Sequence, residues 1–137
     1  MAETAYTLDK NIAVTAIIFI IIAVSLGALG AHALKSHLTA AQLDSFETGV
    51  RYQVYHGLAL LFLAVVPFVD TSAKKWVCVV MSLGIVFFSF SIYLLATRTL
   101  HGLKVGFLGP VTPLGGLLLI GSWVFLIMKI CQHKWVK

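Results

Sequence analysis

Residues able to do chemistry gather in one run, Phe46 to Gly57, which places Glu47, Arg51, Tyr52, Tyr55 and His56 directly before an apolar stretch. Glu47 with His32 or His56 could serve as an acid and base pair. Arg51 with the two tyrosines could instead hold a phosphate or carboxylate, because a guanidinium fork pairs two oxygens at once. Glu47 precedes Arg51 by four residues, the order that favours an ion pair along a helix. Other chemistries have less to stand on. There is no HExxH and no Ser or Cys nucleophile motif, and the His32 to His37 spacing does not suit a pair of helical metal ligands. Cys78 and Cys131 lack CxxC or Cys/His spacing and read as small hydrophobic residues. The expectation is a chain without catalysis, cofactor or metal.

The elements that must position these residues are set by composition. Of 137 residues, 60% are hydrophobic and 11% charged, with mean hydropathy +0.99, far from the range of a soluble domain. This is an integral membrane protein, and one bundle uses up the length. Lys and Arg outnumber Asp and Glu, 10 against 5, but they sit at the ends of apolar runs. That pattern anchors and orients a membrane protein and gives no reason to expect nucleic acid as a partner.

Ile12 to Ala31 contains no charged side chain and forms a first transmembrane helix, about 11–31. It exceeds a signal-peptide core, so Ala31-His-Ala33 is not read as a cleavage site. Ala23, Gly27 and Ala31 form a small-residue stripe, open to close packing within the chain, to another membrane protein or to a second copy. Gly57 to Val69 is only 13 residues, whereas a crossing needs about 20. The second helix, about 39–69, must therefore draw on the polar run before it, with Thr39 as N-cap and Gly49 as a place to bend. Its first half is an amphipathic segment between helices one and two.

The third helix spans about 76–97, with Ser82, Ser89, Tyr93 and Thr97 near one face and directed at neighbouring helices. Gly102 to Gly106 matches GxxxG only formally, since it contains Lys104. Thr112 as N-cap and Pro113 at the first helical position open a fourth helix, about 112–130. The result is one all-α transmembrane domain over 1–137, a four-helix membrane bundle.

Threading the helices up and down gathers His32, Glu47, Arg51, Tyr52, Tyr55, His56, Tyr93 and Thr112 at one end. Two readings stay open. The cluster is structural and fixes helix register, in a protein supporting membrane integrity or a partner membrane protein. Alternatively it binds a lipid headgroup or small anion through Arg51, although Glu47 would compete for that guanidinium. A proton path through Glu47 and His56 is disfavoured because only one end of the bundle is polar. Four crossings put both termini on one side, with Lys10, Lys74, Lys75, Lys129, Lys134 and Lys137 there against Lys35, Arg51, Arg98 and Lys104 opposite. The expected location is the plasma (inner) membrane with cytoplasmic termini and membrane lipids as partners.

Three blocks, Gly27-Ala-Leu-Gly-Ala-His-Ala-Leu-Lys35, Phe46 to His56, and Thr112-Pro-Leu-Gly-Gly116 with Gly121-Ser-Trp123, resemble the YgdD/YwdK-like family of small membrane proteins, a domain of unknown function (423). A fourth block, Phe88 to Leu95, departs by carrying Phe90 where a glycine is expected. The resemblance implies a multi-pass protein with four membrane helices. It implies no reaction and no catalytic residues.

Overall fold

The computed structural model describes residues 8–133, and among these there is helix but no strand. Lys10–Leu29 is α1, extended by a π-turn over Gly30–Leu34; Ala40–Val65 is α2. Thr71–Ile85 is α3, followed by a π-turn at Val86–Phe90 and by α4, Ser91–Ala96, which continues the same rod. A single turn, α5 (Arg98–His101), and a 3-10 turn at Gly106–Leu108 lead to α6, Val111–Gln132. The four expected rods are present, the third with a π-turn in its middle, and the short α5 is an addition. Lys10–Leu34, Thr71–Ala96 and Gly106–Gln132 are each long and apolar enough to cross a membrane. The second rod does not reach that hydropathy. The basic tail residues Lys134 and Lys137 lie outside the described residues.

Each boundary has a local cause. Thr39 accepts the Gln42 N–H while Gln42 Oε1 accepts the Thr39 N–H, a reciprocal cap that starts α2 where expected. α2 stops at Val65 and not at 69, because Pro67 forces Val66 into an extended conformation. α3 starts at Thr71 and not at 76, because Asp70 accepts the Ala73 N–H at 2.8 Å. The first charge-free residue, Trp76, is a poorer start signal than this cap. α6 begins at Val111 with Pro110 before it, and the expected cap Thr112 turns its hydroxyl to Ser91 instead. α5 ends on Gly102 at φ 65°, a left-handed cap that suits glycine.

α2 and the rod formed by α3 and α4 are the inner pair. α1 packs along α2, α6 packs along α3 and the π-turn, and α2 meets α3 and α4 between them. Leu60, Val77, Met81 and Ile85 are fully buried there. The outer rods leave much apolar surface uncovered, including Ile17, Ile21 and Val24 on α1 and Leu117, Ile120 and Ile127 on α6. Small residues set the spacing between rods. A Cβ on Gly27 would sit 3.3 Å from Val50, and one on Gly57 would sit 2.8 Å from Ile20. The small-residue stripe is thus spent on α2: Ala23 is buried and Gly27 faces Val50, so only Ala31 stays exposed for another chain. α2 runs unbroken through Gly49. This glycine admits the Tyr93 ring, whose edge would lie 2.8 Å from an added Cβ. Gly115 lets α6 rest on the backbone at Phe87 and Phe88, within the π-turn at Val86–Phe90.

Candidate functional site

The side chains of α2 divide into two opposed arcs. Asp44, Thr48, Arg51 and Tyr55 share one arc of roughly 60°, and Gly49, Gln53, His56 and Leu60 share another on the far side, at 100° per residue. Only the second arc is fully buried. Length alone required part of the polar run to enter the bundle, but helix rotation decided which part.

Glu47 and Arg51 are accordingly outside, contrary to the expected buried pair. Arg51 Nη2 lies 3.5 Å from Asp44 Oδ1, with the two side chains 51% and 78% exposed, and it donates to Thr48 Oγ1 at 3.0 Å. Asp44 and Thr48 lie along the arc down which the guanidinium extends, so it bonds there and makes no ion pair with Glu47. An exposed pair of this kind contributes little to stability. His32 is exposed on the π-turn after α1, and Tyr55 is exposed beyond Tyr52. The single cluster expected around Arg51 therefore does not form. His32, Glu47, Arg51 and Tyr55 stand apart from the buried polar groups.

What the fold does assemble is a set of three internal linkages. Gln53, with no exposed surface, donates from Nε2 to the Phe19 carbonyl at 2.8 Å and accepts the Tyr93 hydroxyl at 2.8 Å. One amide thereby ties α1, α2 and α4 together. The ring of Tyr93 also packs on Phe46 at 4.9 Å and edge-on to Phe90 at 5.6 Å. Phe90, unexpected as a bulky residue, thus braces Tyr93 while the close backbone contact falls at Gly49 and Gly115.

The second linkage joins His56 to α6. Trp123 donates its indole N–H to His56 Nε2 at 3.1 Å, and His56 Nδ1 lies 2.8 Å from the Tyr52 carbonyl. An indole nitrogen is only a donor, so Nε2 accepts and Nδ1 carries the proton that reaches the carbonyl. The imidazole is neutral in this arrangement. Tyr52 covers it, with its ring 6.1 Å from His56 and 4.8 Å from Phe88.

The third linkage is between Ser91 and Thr112, whose hydroxyls meet at 2.7 Å. Ser91 also donates toward the carbonyls of Phe87 and Phe88, where the π-turn has displaced the regular helical partners. Ser89 has a fully buried hydroxyl with no hydrogen-bond partner. Of the expected site residues, then, His56, Tyr93 and Thr112 are drawn inside, each to a different partner. Gln53, Ser91 and Trp123 are the functional neighbours that sequence reasoning missed. A lone amide between Gly49 and His56 was a usable signal for Gln53, because such a group in an apolar arc must find an internal partner. Among the described residues no three His, Cys, Asp or Glu side chains are grouped as metal ligands.

The family described as "Protein of unknown function (DUF423)" matches this chain over residues 26–116, a span that includes all three linkages apart from Phe19 and Trp123. The chain belongs to the DUF423 family. Its relatives include a UPF0382 membrane protein of Staphylococcus haemolyticus, 39% identical over 106 residues, or 77% of this chain and 83% of the relative. The UPF0382 membrane protein YwdK of Bacillus subtilis is 33% identical over 118 residues, covering 82% and 89%. The UPF0382 inner membrane protein YgdD of Escherichia coli is 36% identical over 112 residues, covering 81% and 82%. No solved structure matches significantly. With its long apolar helices, this DUF423 chain is a helical membrane protein.

Proposed function

We propose that this protein is a non-catalytic structural or accessory component of the plasma (inner) membrane, supporting membrane integrity or a partner membrane protein. One observation carries this reading: Gln53, Tyr93, His56, Ser91 and Thr112 are engaged with one another or with the backbone. Groups committed in this way fix the register of neighbouring helices. A catalytic site needs a nucleophile or base facing room for a substrate, and that is a poor description of these linkages. The Asp44 partner of Arg51 likewise argues against the anion site first expected there.

The reading includes four crossings. α2 spans about 39 Å at 1.5 Å per residue over its 26 residues, so its apolar half lies in hydrocarbon while its first turns project. Its place between α1 and α3 supports a crossing that its hydropathy alone does not. Counted along the sequence, Lys10, Lys74, Lys75, Lys129, Lys134 and Lys137 on the side of the termini against Lys35, Arg51, Arg98 and Lys104 on the other favour cytoplasmic termini.

The test is complementation in cells from which the gene has been deleted, scored by dye leakage across the membrane. A structural role requires that Glu47→Gln, Arg51→Gln, His56→Gln and Tyr93→Phe restore integrity in proportion to the amount of folded protein each leaves in the membrane. A variant present at full abundance yet unable to complement would refute the proposal.

A further inference from the structure

At the end of the bundle where α2 begins, a cavity of about 360 Å³ opens between α2, α4 and the start of α6. Arg98, Gln42, Ser45 and Thr112 stand around it, and Ile92 and Leu95 contribute apolar wall. No lining residue is acidic. Arg98 makes no ion pair among the described residues, in contrast to Arg51 at the same end. Gln42 already spends its carbonyl oxygen on Thr39 and donates one Nε2 hydrogen to Thr99 Oγ1 at 3.3 Å, which leaves it a second N–H to offer. No side chain caps α6, whose positive end begins beside Thr112. The cavity therefore presents an unneutralised guanidinium and N–H donors above apolar side chains.

We infer that this cavity binds the phosphate of an anionic phospholipid, with Arg98 as the phosphate contact and an acyl chain running against Ile92 and Leu95. The position decides for a lipid over a soluble phosphate. Asp44, Arg51, Arg98 and Lys104 mark the polar boundary at this end, and the α4 segment below them is apolar, which is the profile of a headgroup lying over its own chain. A guanidinium fork matches two phosphate oxygens. This inference is independent of the accessory role, because a lipid can be held whether or not a partner protein is.

The full chain, purified in detergent and offered phosphatidylglycerol or phosphatidylcholine, is examined by native mass spectrometry for retained lipid. The parent protein is expected to keep phosphatidylglycerol in preference to phosphatidylcholine. Arg98→Gln should lower that retention about tenfold or more, the scale of a lost charge-assisted hydrogen bond. Arg51→Gln removes the same charge from the same end and should leave retention unchanged. Ser45→Trp should also abolish retention by filling the cavity, which guards against misreading a folding defect in either variant. Retention equal to the parent's in Arg98→Gln or in Ser45→Trp, a loss in Arg51→Gln as large as that in Arg98→Gln, or no preference for the anionic lipid overturns the site. If free glycerol phosphate competes as well as the lipid does, the ligand is a soluble phosphate and the acyl contact is wrong.

Discussion

The phenol of Tyr93 donates to Oε1 of Gln53 at 2.8 Å, in a place where Gln53 has no exposed surface and its amide also holds the Phe19 carbonyl. Tyr93→Phe leaves that oxygen unpaired and is expected to cost about 1 kcal/mol, within the range measured for hydrogen bonds between membrane helices. Gln53→Leu should cost more, since it strands the Tyr93 hydroxyl and frees the α1 carbonyl. The double variant should be less destabilised than the sum of the two, with a coupling of about 1 kcal/mol. Denaturation of the four proteins in one detergent measures it. Strict additivity would show that the two side chains do not interact.

His56 provides a spectroscopic check. With Trp123 donating to Nε2, the ring must carry its proton on Nδ1. Nitrogen NMR of histidine-labelled protein at neutral pH should show that tautomer for His56. Trp123→Phe should release it toward a mixture. Finding Nε2 protonated in the parent removes the linkage between α2 and α6.

Asp70 governs an acid-dependent contribution at the other end. The Ala73 N–H that its carboxylate caps, aided by Lys129 at 3.7 Å, holds the carboxyl below the usual carboxylate range. The native state therefore binds this proton less readily than the unfolded chain does. The stabilisation is complete above the ordinary Asp value of about 3.9 and is lost as pH falls through the lower, native one. Asp70→Asn should flatten the fall in stability below about pH 4 relative to the parent. Lys129→Gln should retain most of the slope, because the backbone bond is the larger cause. An unchanged slope in Asp70→Asn would assign the acid response elsewhere.

Two glycines of α6 should respond with opposite signs. At Gly115 an added Cβ would lie 2.7 Å from the Phe87 carbonyl carbon, which is backbone and cannot swing away. Gly115→Ala is expected to cost about 2 kcal/mol or more by forcing α6 off the π-turn. Gly121 has nothing within 4 Å of such an atom, so Gly121→Ala should be neutral or gain up to about 1 kcal/mol in helix propensity. Thermal midpoints in detergent decide it, and two shifts of the same sign would contradict the contact at Gly115.

The rods and the Thr39 cap could be read from the chain because each depends on local order: apolar run length and a capping residue. What could not be read was rotation. Glu47 and Arg51 are four apart and so share a face, but nothing local says whether that face meets α1, α4 or the exterior. The answer lies with Gly49 and Gly57, which bring Tyr93 and Ile20 against the opposite side. The π-turn was likewise invisible, since it depends on Gly115 and Thr112 arriving from a distant helix. Proline at 67 is in plain view, but the apolar run continues past it and masks its effect on Val66.

The later partners of Gln53 and His56, Tyr93 and Trp123, lie 40 and 67 residues further along the chain. During synthesis, α2 is therefore complete while its amide and imidazole each still lack one eventual neighbour. Those two bonds wait until the ribosome delivers Tyr93 and then Trp123, and the final helix completes the assembly that the second one began.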